Sequence, residues 1–308
     1  MNQAYHRSKQ YSESKLGQLR QTLQSCVPAN VAVLTFGSYA RREASEQSDI
    51  DYIVVNDEIA AEEPQMEIIE QRIASIVKTE PSSGGAFAEK VARADMLRNL
   101  GGQNDTNHTL TRRLLLLLEG EWLANESSFR SLRRELLERY VSATKRDHQI
   151  ALFMLNDIIR YWRTMTVDYM YKTTEDTKPW AIRNIKLIFS RKLMYTSGLF
   201  SVAMTIDRSE MAKVDLLERL FDLPVIDRMI EICGESRMIR ALESYDLFLS
   251  RLEDAKVRSE LKAVEPENHG NASFRELKNE GHRFTRELLC VYESTFHKTH
   301  PIHRAVLF

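Results

Sequence analysis

The chain has 308 residues, 43% apolar and 28% charged, with a mean hydropathy of −0.39. That suffices for one large domain or two ordinary ones with a proper core, and it excludes a disordered chain. A formal net charge of −1 neither demands nor excludes a nucleic-acid partner. Cys26, Cys233 and Cys290 form no zinc pattern and no plausible disulfide framework. No apolar leader opens the sequence, and no run approaches the roughly 20 apolar residues of a membrane span. The expected location is the cytoplasm, with no membrane partner.

In chain order, residues 5–25 are polar with good helix formers and predict a leading helix. Val31 to Phe36 is a short apolar, β-branched run that stops at Gly37-Ser38, as a buried strand ending in a tight turn would. Residues 38–46 predict a short helix and Ile50 to Val55 a second strand. Pro64 to Lys78 carries Ile68, Ile69, Ile73, Ile76 and Val77 on a helical period, with Pro64 suited to a first turn. A third strand around Ser75 to Thr79 is weakly marked. Pro81-Ser82-Ser83-Gly84-Gly85 is a clear break.

From about residue 109 the pattern is helical almost throughout. Leu114 to Leu118 predicts a buried helix, and Ala151, Leu155, Ile158, Trp162, Met165 and Tyr169 follow one helix face. Residues 180–197, 209–221, 236–262 and 273–296 are also expected to be helical, the last with a capping box at Ser273-Phe274-Arg275-Glu276. The expected class is α+β: a small α/β head over residues 1–108, then an all-helical bundle over 109–308.

The chemistry concentrates in Phe36-Gly37-Ser38-Tyr39-Ala40-Arg41-Arg42-Glu43-Ala44 and Ser48-Asp49-Ile50-Asp51-Tyr52. Gly37 lets a triphosphate approach the backbone, and Ser38 offers a hydroxyl at the start of a helix, where free N–H groups favour an anion. Asp49 and Asp51 are one residue apart on an expected strand, so alternation puts both carboxylates on one face and Ile50 on the other. Two neighbouring carboxylates repel unless a cation lies between them, and Mg²⁺ favours a few carboxylates plus phosphate oxygens.

These residues resemble the signature of the DNA polymerase β-like nucleotidyltransferase superfamily: Gly-Ser, a short helix, then Asp-x-Asp on a strand. The form seen here is similar to the bacterial minimal-nucleotidyltransferase and PII-uridylyltransferase-like branches, over roughly residues 31–57. The resemblance implies that Gly37 and Ser38 hold the β- and γ-phosphates of a nucleoside triphosphate. It implies Asp49 and Asp51 as ligands of Mg²⁺ (or Mn²⁺) and as catalytic residues, with in-line attack on the α-phosphate releasing pyrophosphate. A third carboxylate is expected on a later strand; Glu80 is the first choice, with Asp95, Asp105 and Glu119 as alternatives. Arg41 matches the motif and is expected at a phosphate, unless it pairs with Glu43 or Glu46. The segment Leu100 to Thr106, followed by Thr111-Arg112-Arg113, is either a lip over the site or a loop leading into a capped helix.

Residues 111–200 hold 16 Lys/Arg against 10 Asp/Glu. Arg160 and Arg163 share a helix face, and Arg183, Lys186 and Arg191 are similarly placed, so Arg160, Arg163 and Lys186 are candidate nucleotide-binding residues. Tyr161, Trp162 and Trp180 could stack on bases, although such spacing more often marks core. The acceptor stays open among RNA (a tRNA 3′ end above all, as in toxin-like members of the superfamily), a protein hydroxyl and a second nucleotide. A catalytically weak nucleotide-sensing or partner-binding protein on the same fold is the alternative. The sequence does not determine the oligomeric state.

Overall fold

A computed structural model describes residues 3–56, 63–79, 90–142, 146–174, 179–266 and 270–307. In chain order the elements are α1 (Gln3–Gln24), β1 (Val31–Phe36), α2 (Gly37–Ala40), β2 (Asp51–Asn56), α3 (Glu63–Ile76), β3 (Lys90–Ala92), α4 (Arg93–Leu97), α5 (Asn107–Glu119), β4 (Glu121–Ala124) and α6 (Glu126–Ser142). There follow α7 (Leu152–Thr174), α8 (Trp180–Lys186), a π-turn (Leu187–Arg191), α9 (Lys192–Ala203), α10 (Glu210–Phe221), α11 (Val225–Cys233), α12 (Glu235–Glu253), α13 (Ala255–Lys262), α14 (Ala272–Thr295) and α15 (Ile302–Ala305). A small four-stranded sheet at the N-terminal side and a mostly helical remainder make the fold α+β.

The chain divides into two compact units. The first comprises Arg7–Ala143 and Glu210–Pro224 and contains the sheet. The second comprises Met1–His6, Thr144–Ser209 and Val225–Phe308 and is helical. Residue 108, the boundary expected from the change in texture, therefore falls inside the sheet-containing unit, because β4 pairs with β1 and α5 and α6 pack on β1.

The sheet order is β3-β2-β1-β4, with β1 antiparallel to both β2 and β4 and β2 parallel to β3. All six residues of β1 are buried, as its unbroken apolar run predicts for a central strand. Val31 and Val33 pack with Tyr52 and Val54 against Leu16, Leu19 and Leu23 of α1 and Met66, Ile69 and Ile73 of α3. Burying side chains of this size stabilises the unit by about 1.5–3 kcal/mol each. Ser75 and Ile76, expected in a third strand, instead end α3, whose apolar residues keep the helical period to the end; the third strand is β3. No helix among the described residues is long and apolar enough to cross a membrane.

In the helical unit the expected helix over 180–197 exists but contains the π-turn. The run 236–262 breaks at Asp254, whose side chain accepts from the amides of Lys256 and Val257 and so starts a new helix. The last long helix is capped by Asn271, which accepts from the Phe274 amide, rather than by the expected box at Ser273.

Candidate active site

Strand β1 ends where the chain must turn sharply. Gly37 has φ +70, a left-handed conformation that side chains rarely adopt. The β1–β2 register sets Phe36 opposite Asp51, and Thr35 Oγ1 donates to the Asp51 carbonyl at 2.8 Å. A Cβ at position 37 would lie 2.9 Å from Asp51 Oδ2. Gly37 of the turn and the second aspartate are thus in contact, across 13 intervening residues of sequence. Burial alternates as expected: Ile50 is buried while Asp49 and Asp51 are half-exposed. Strand β2 itself begins at Asp51, one residue later than expected, so Asp49 lies just before it.

The helix expected over residues 38–46 is a single turn. Arg42 takes φ 63, and the Glu43 amide donates to the Ser38 carbonyl at 2.7 Å, closing the turn. The Gly37 N–H is not free for an anion: it donates to Glu119 Oε1 at 3.2 Å. Arg41 also turns inward. Its Nε meets Glu43 at 2.8 Å and its Nη1 meets Glu119 at 2.5 Å, with all three side chains buried. Arg41, expected at a phosphate, is placed as a brace under the turn, because Glu119 arrives there at the end of α5. Arg42 forms the second brace, with Nε on Glu13 at 2.7 Å and Nη2 on Glu121 at 2.5 Å. Sequence reading missed Glu13, Glu119 and Glu121 as partners, since they come from α1, α5 and β4 and share no local spacing with the motif.

Against these neutralised acids, Asp49 makes no ion pair among the described residues, and the Ser38 hydroxyl makes no hydrogen bond among them. The Tyr39 hydroxyl is pushed upward in pKa by burial, then by Tyr11 and the Asp49 carboxylate. No three His, Cys, Asp or Glu side chains among the described residues gather closely enough to hold a metal alone. Two carboxylates with oxygen donors nevertheless suit Mg²⁺, which takes few protein ligands and fills the rest with water and substrate phosphate.

Residues 16–81, from within α1 to just beyond α3, match the family model described as the nucleotidyltransferase domain. The match is consistent with the polymerase β-like superfamily expected from the motif. No curated protein matches the chain.

Around this matched segment, the other candidates separate. Glu80 lies outside the described residues. Asp105 is spent on Arg113: Nη2 reaches both carboxylate oxygens at 3.0 Å, and both side chains are fully buried. Its Oδ2 also accepts from the Gly101 amide, so residues 101–106 are tied into a loop that leads to α5, capped by Thr106. Asp95 is exposed beside Arg98. Arg160, Arg163 and Lys186 belong to the helical unit; Arg160 lies 3.8 Å from Asp157, Arg163 is exposed and Lys186 is half-buried. Tyr161 is a buried core aromatic, while Trp162 and Trp180 are half-buried, stacking on Tyr195 at 5.1 Å and packing on Phe274 at 4.9 Å. Much of the positive charge on α6 is paired within the unit: Arg130, Arg133 and Arg134 pair with Asp215, Glu218 and Asp222 of α10 and its end.

Proposed function

We propose that the chain is a divalent-metal-dependent nucleotidyltransferase that moves a nucleoside monophosphate from a nucleoside triphosphate to an acceptor hydroxyl. The observation that supports this most directly is the contact between Gly37 and Asp51, with Asp49 lacking any cationic partner among the described residues. Ser38 would take the β- and γ-phosphates through its uncommitted hydroxyl, and Gly37, whose N–H is held by Glu119, would shape the turn that presents it. Asp49 and Asp51 would hold Mg²⁺ or Mn²⁺, which would acidify the attacking hydroxyl and steady the leaving pyrophosphate. A bond forms from the acceptor oxygen to the α-phosphorus, the α–β bridge breaks, and the hydroxyl proton leaves. Glu80 is retained as the third carboxylate of this proposal. The acceptor we favour is RNA, supported by the basic content of residues 111–200, to which Arg160, Arg163 and Lys186 contribute.

The test is transfer of label from each α-labelled nucleoside triphosphate to total tRNA, with Asp49→Asn/Asp51→Asn protein in parallel. Label entering RNA should fall at least about a hundredfold in the variant. Label moving instead to protein or to a new small nucleotide would replace RNA as the acceptor. Triphosphate binding without transfer would favour a nucleotide sensor, and no binding at all would overturn the reading.

A further inference from the structure

After α14 the chain doubles back, and the segment over residues 297–307 lies against the helix end it has just left. Its anchors are apolar and aromatic. Ile302 is fully buried, the His303 ring meets Tyr292 edge-on at 4.8 Å, and the His300 ring lies 5.0 Å from Phe296. Tyr292 and Phe296 pack in turn on Phe200 of α9, at 5.8 and 5.0 Å. All of these residues belong to the helical unit.

The hydrogen bonds fix where each ring carries its proton. The Ile302 amide donates to His300 Nδ1 at 3.1 Å, and a backbone N–H can only donate, so that nitrogen is bare. The proton of the neutral ring is then on Nε2, and the Ala203 carbonyl at the end of α9 accepts from the ring. His303 Nε2 faces the Phe296 carbonyl at 3.1 Å, and a carbonyl can only accept, so Nε2 carries the proton there. His297 is exposed and bonds within its own turn, to Thr299 Oγ1 at 2.9 Å. His300 and His303 therefore answer acid differently. His303 keeps its bond when charged, because its Nε2–H is unchanged. His300 loses one: a proton on Nδ1 sets an N–H against the Ile302 N–H, and the first amide of α15 loses its acceptor. Burial, and then the charge of His303, hold His300 below the ordinary histidine value of 6.5, against the opposite pull of the Ala203 carbonyl and of Asp207 beyond α9. Tyr292, the titratable group that α14 brings to this contact, is raised by burial and stays neutral, and Arg304 of α15 is exposed.

We propose that residues 297–307 form an acid-released latch, closed on α14 and α9 while His300 is neutral and opened when His300 takes a proton. Its release bares Phe296 and Ile302, which the closed segment keeps from water. The latch is independent of the chemistry at Gly37 and Asp51. An open segment takes the proton at the ordinary histidine value, and the closed segment only below it. Closure is therefore complete above that value and weakens as pH falls, by up to about tenfold per pH unit, until the lower value of the closed form is passed. Amide hydrogen exchange of the full chain, read by mass spectrometry and corrected for the intrinsic pH dependence of exchange, tests the latch. Between about pH 7.5 and about pH 5.5 the protection of residues 298–307 should fall by up to about tenfold, while that of α12 stays constant. In His300→Asn protein the side-chain oxygen accepts from the amide two residues on and does not titrate, so the segment should stay protected at both pH values. Where that variant fails to fold, the wild-type His300 ring is titrated by NMR, with a midpoint expected below the ordinary histidine value. Protection unchanged by acid, an equal fall in α12, the same acid loss in His300→Asn protein, or a His300 midpoint at or above the ordinary value overturns the proposal.

Discussion

Gly37 meets two demands at once: a left-handed φ of +70 and a carboxylate oxygen where its Cβ would be. Gly37→Ala is therefore expected to lose about 1–3 kcal/mol of stability from backbone strain. The clash with Asp51 adds to this and displaces the carboxylate. Transfer activity should fall far more than the denaturation midpoint explains, which parallel urea titration and transfer assays would show. A variant with lowered stability but full activity would mean that the contact serves folding alone. At this scale the sequence was informative, because Gly-Ser and Asp-x-Asp are local and their chemistry follows from residue type. Arg41 was not legible in the same way. Its partner Glu119 is 78 residues away, and no spacing announces a buried pair closed by tertiary folding.

Among the elements, α5 both fills the core behind β1 and delivers Glu119 beneath the turn. The Glu119 side chain is fully buried and serves the Gly37 amide and Arg41 together. Glu119→Ala would strand the buried Arg41 charge with Glu43 as its remaining carboxylate partner and is expected to cost about 3–5 kcal/mol. Glu119→Gln keeps an acceptor for Gly37 and should cost less, so the order of the two urea midpoints checks the assignment. The elements the sequence misplaced are those with little local signal. Strand β4 is four residues between two helices, α2 is a single turn, and α12 and α13 are separated by a cap rather than by a change in apolar period. The π-turn was equally hidden, since its residues carry an ordinary helical pattern.

For the whole molecule, the chain leaves the sheet-containing unit after α6 and returns to it with α10. The return is fastened by arginines of α6 on acids of α10 and its end, and Asp222 receives both Arg130 and the buried Arg133. Burial alone would raise the Asp222 pKa, but its bonds and charges from Arg130 and Arg133 hold it below the ordinary 3.8. The folded state thus binds this proton less tightly than the unfolded chain. The contribution of Asp222 is complete above the unfolded value and is lost as pH falls through the lower folded one. Urea denaturation of wild type and Asp222→Asn protein should show a stability gap near neutral pH that closes below about pH 4. A gap that persists in acid would assign the effect to packing rather than charge.

The class of fold, the order of most elements and the Gly37-Ser38 and Asp49/Asp51 motif follow from local sequence. Those properties rest on short-range rules: apolar period, strand alternation and the conformational freedom of glycine. Packing in three dimensions sets which arginines face inward, where β4 joins the sheet, and that the sheet-containing unit extends beyond residue 108 and recovers α10. Each of these depends on groups distant in sequence that become neighbours through packing, and a buried charge finds its partner by proximity rather than by spacing.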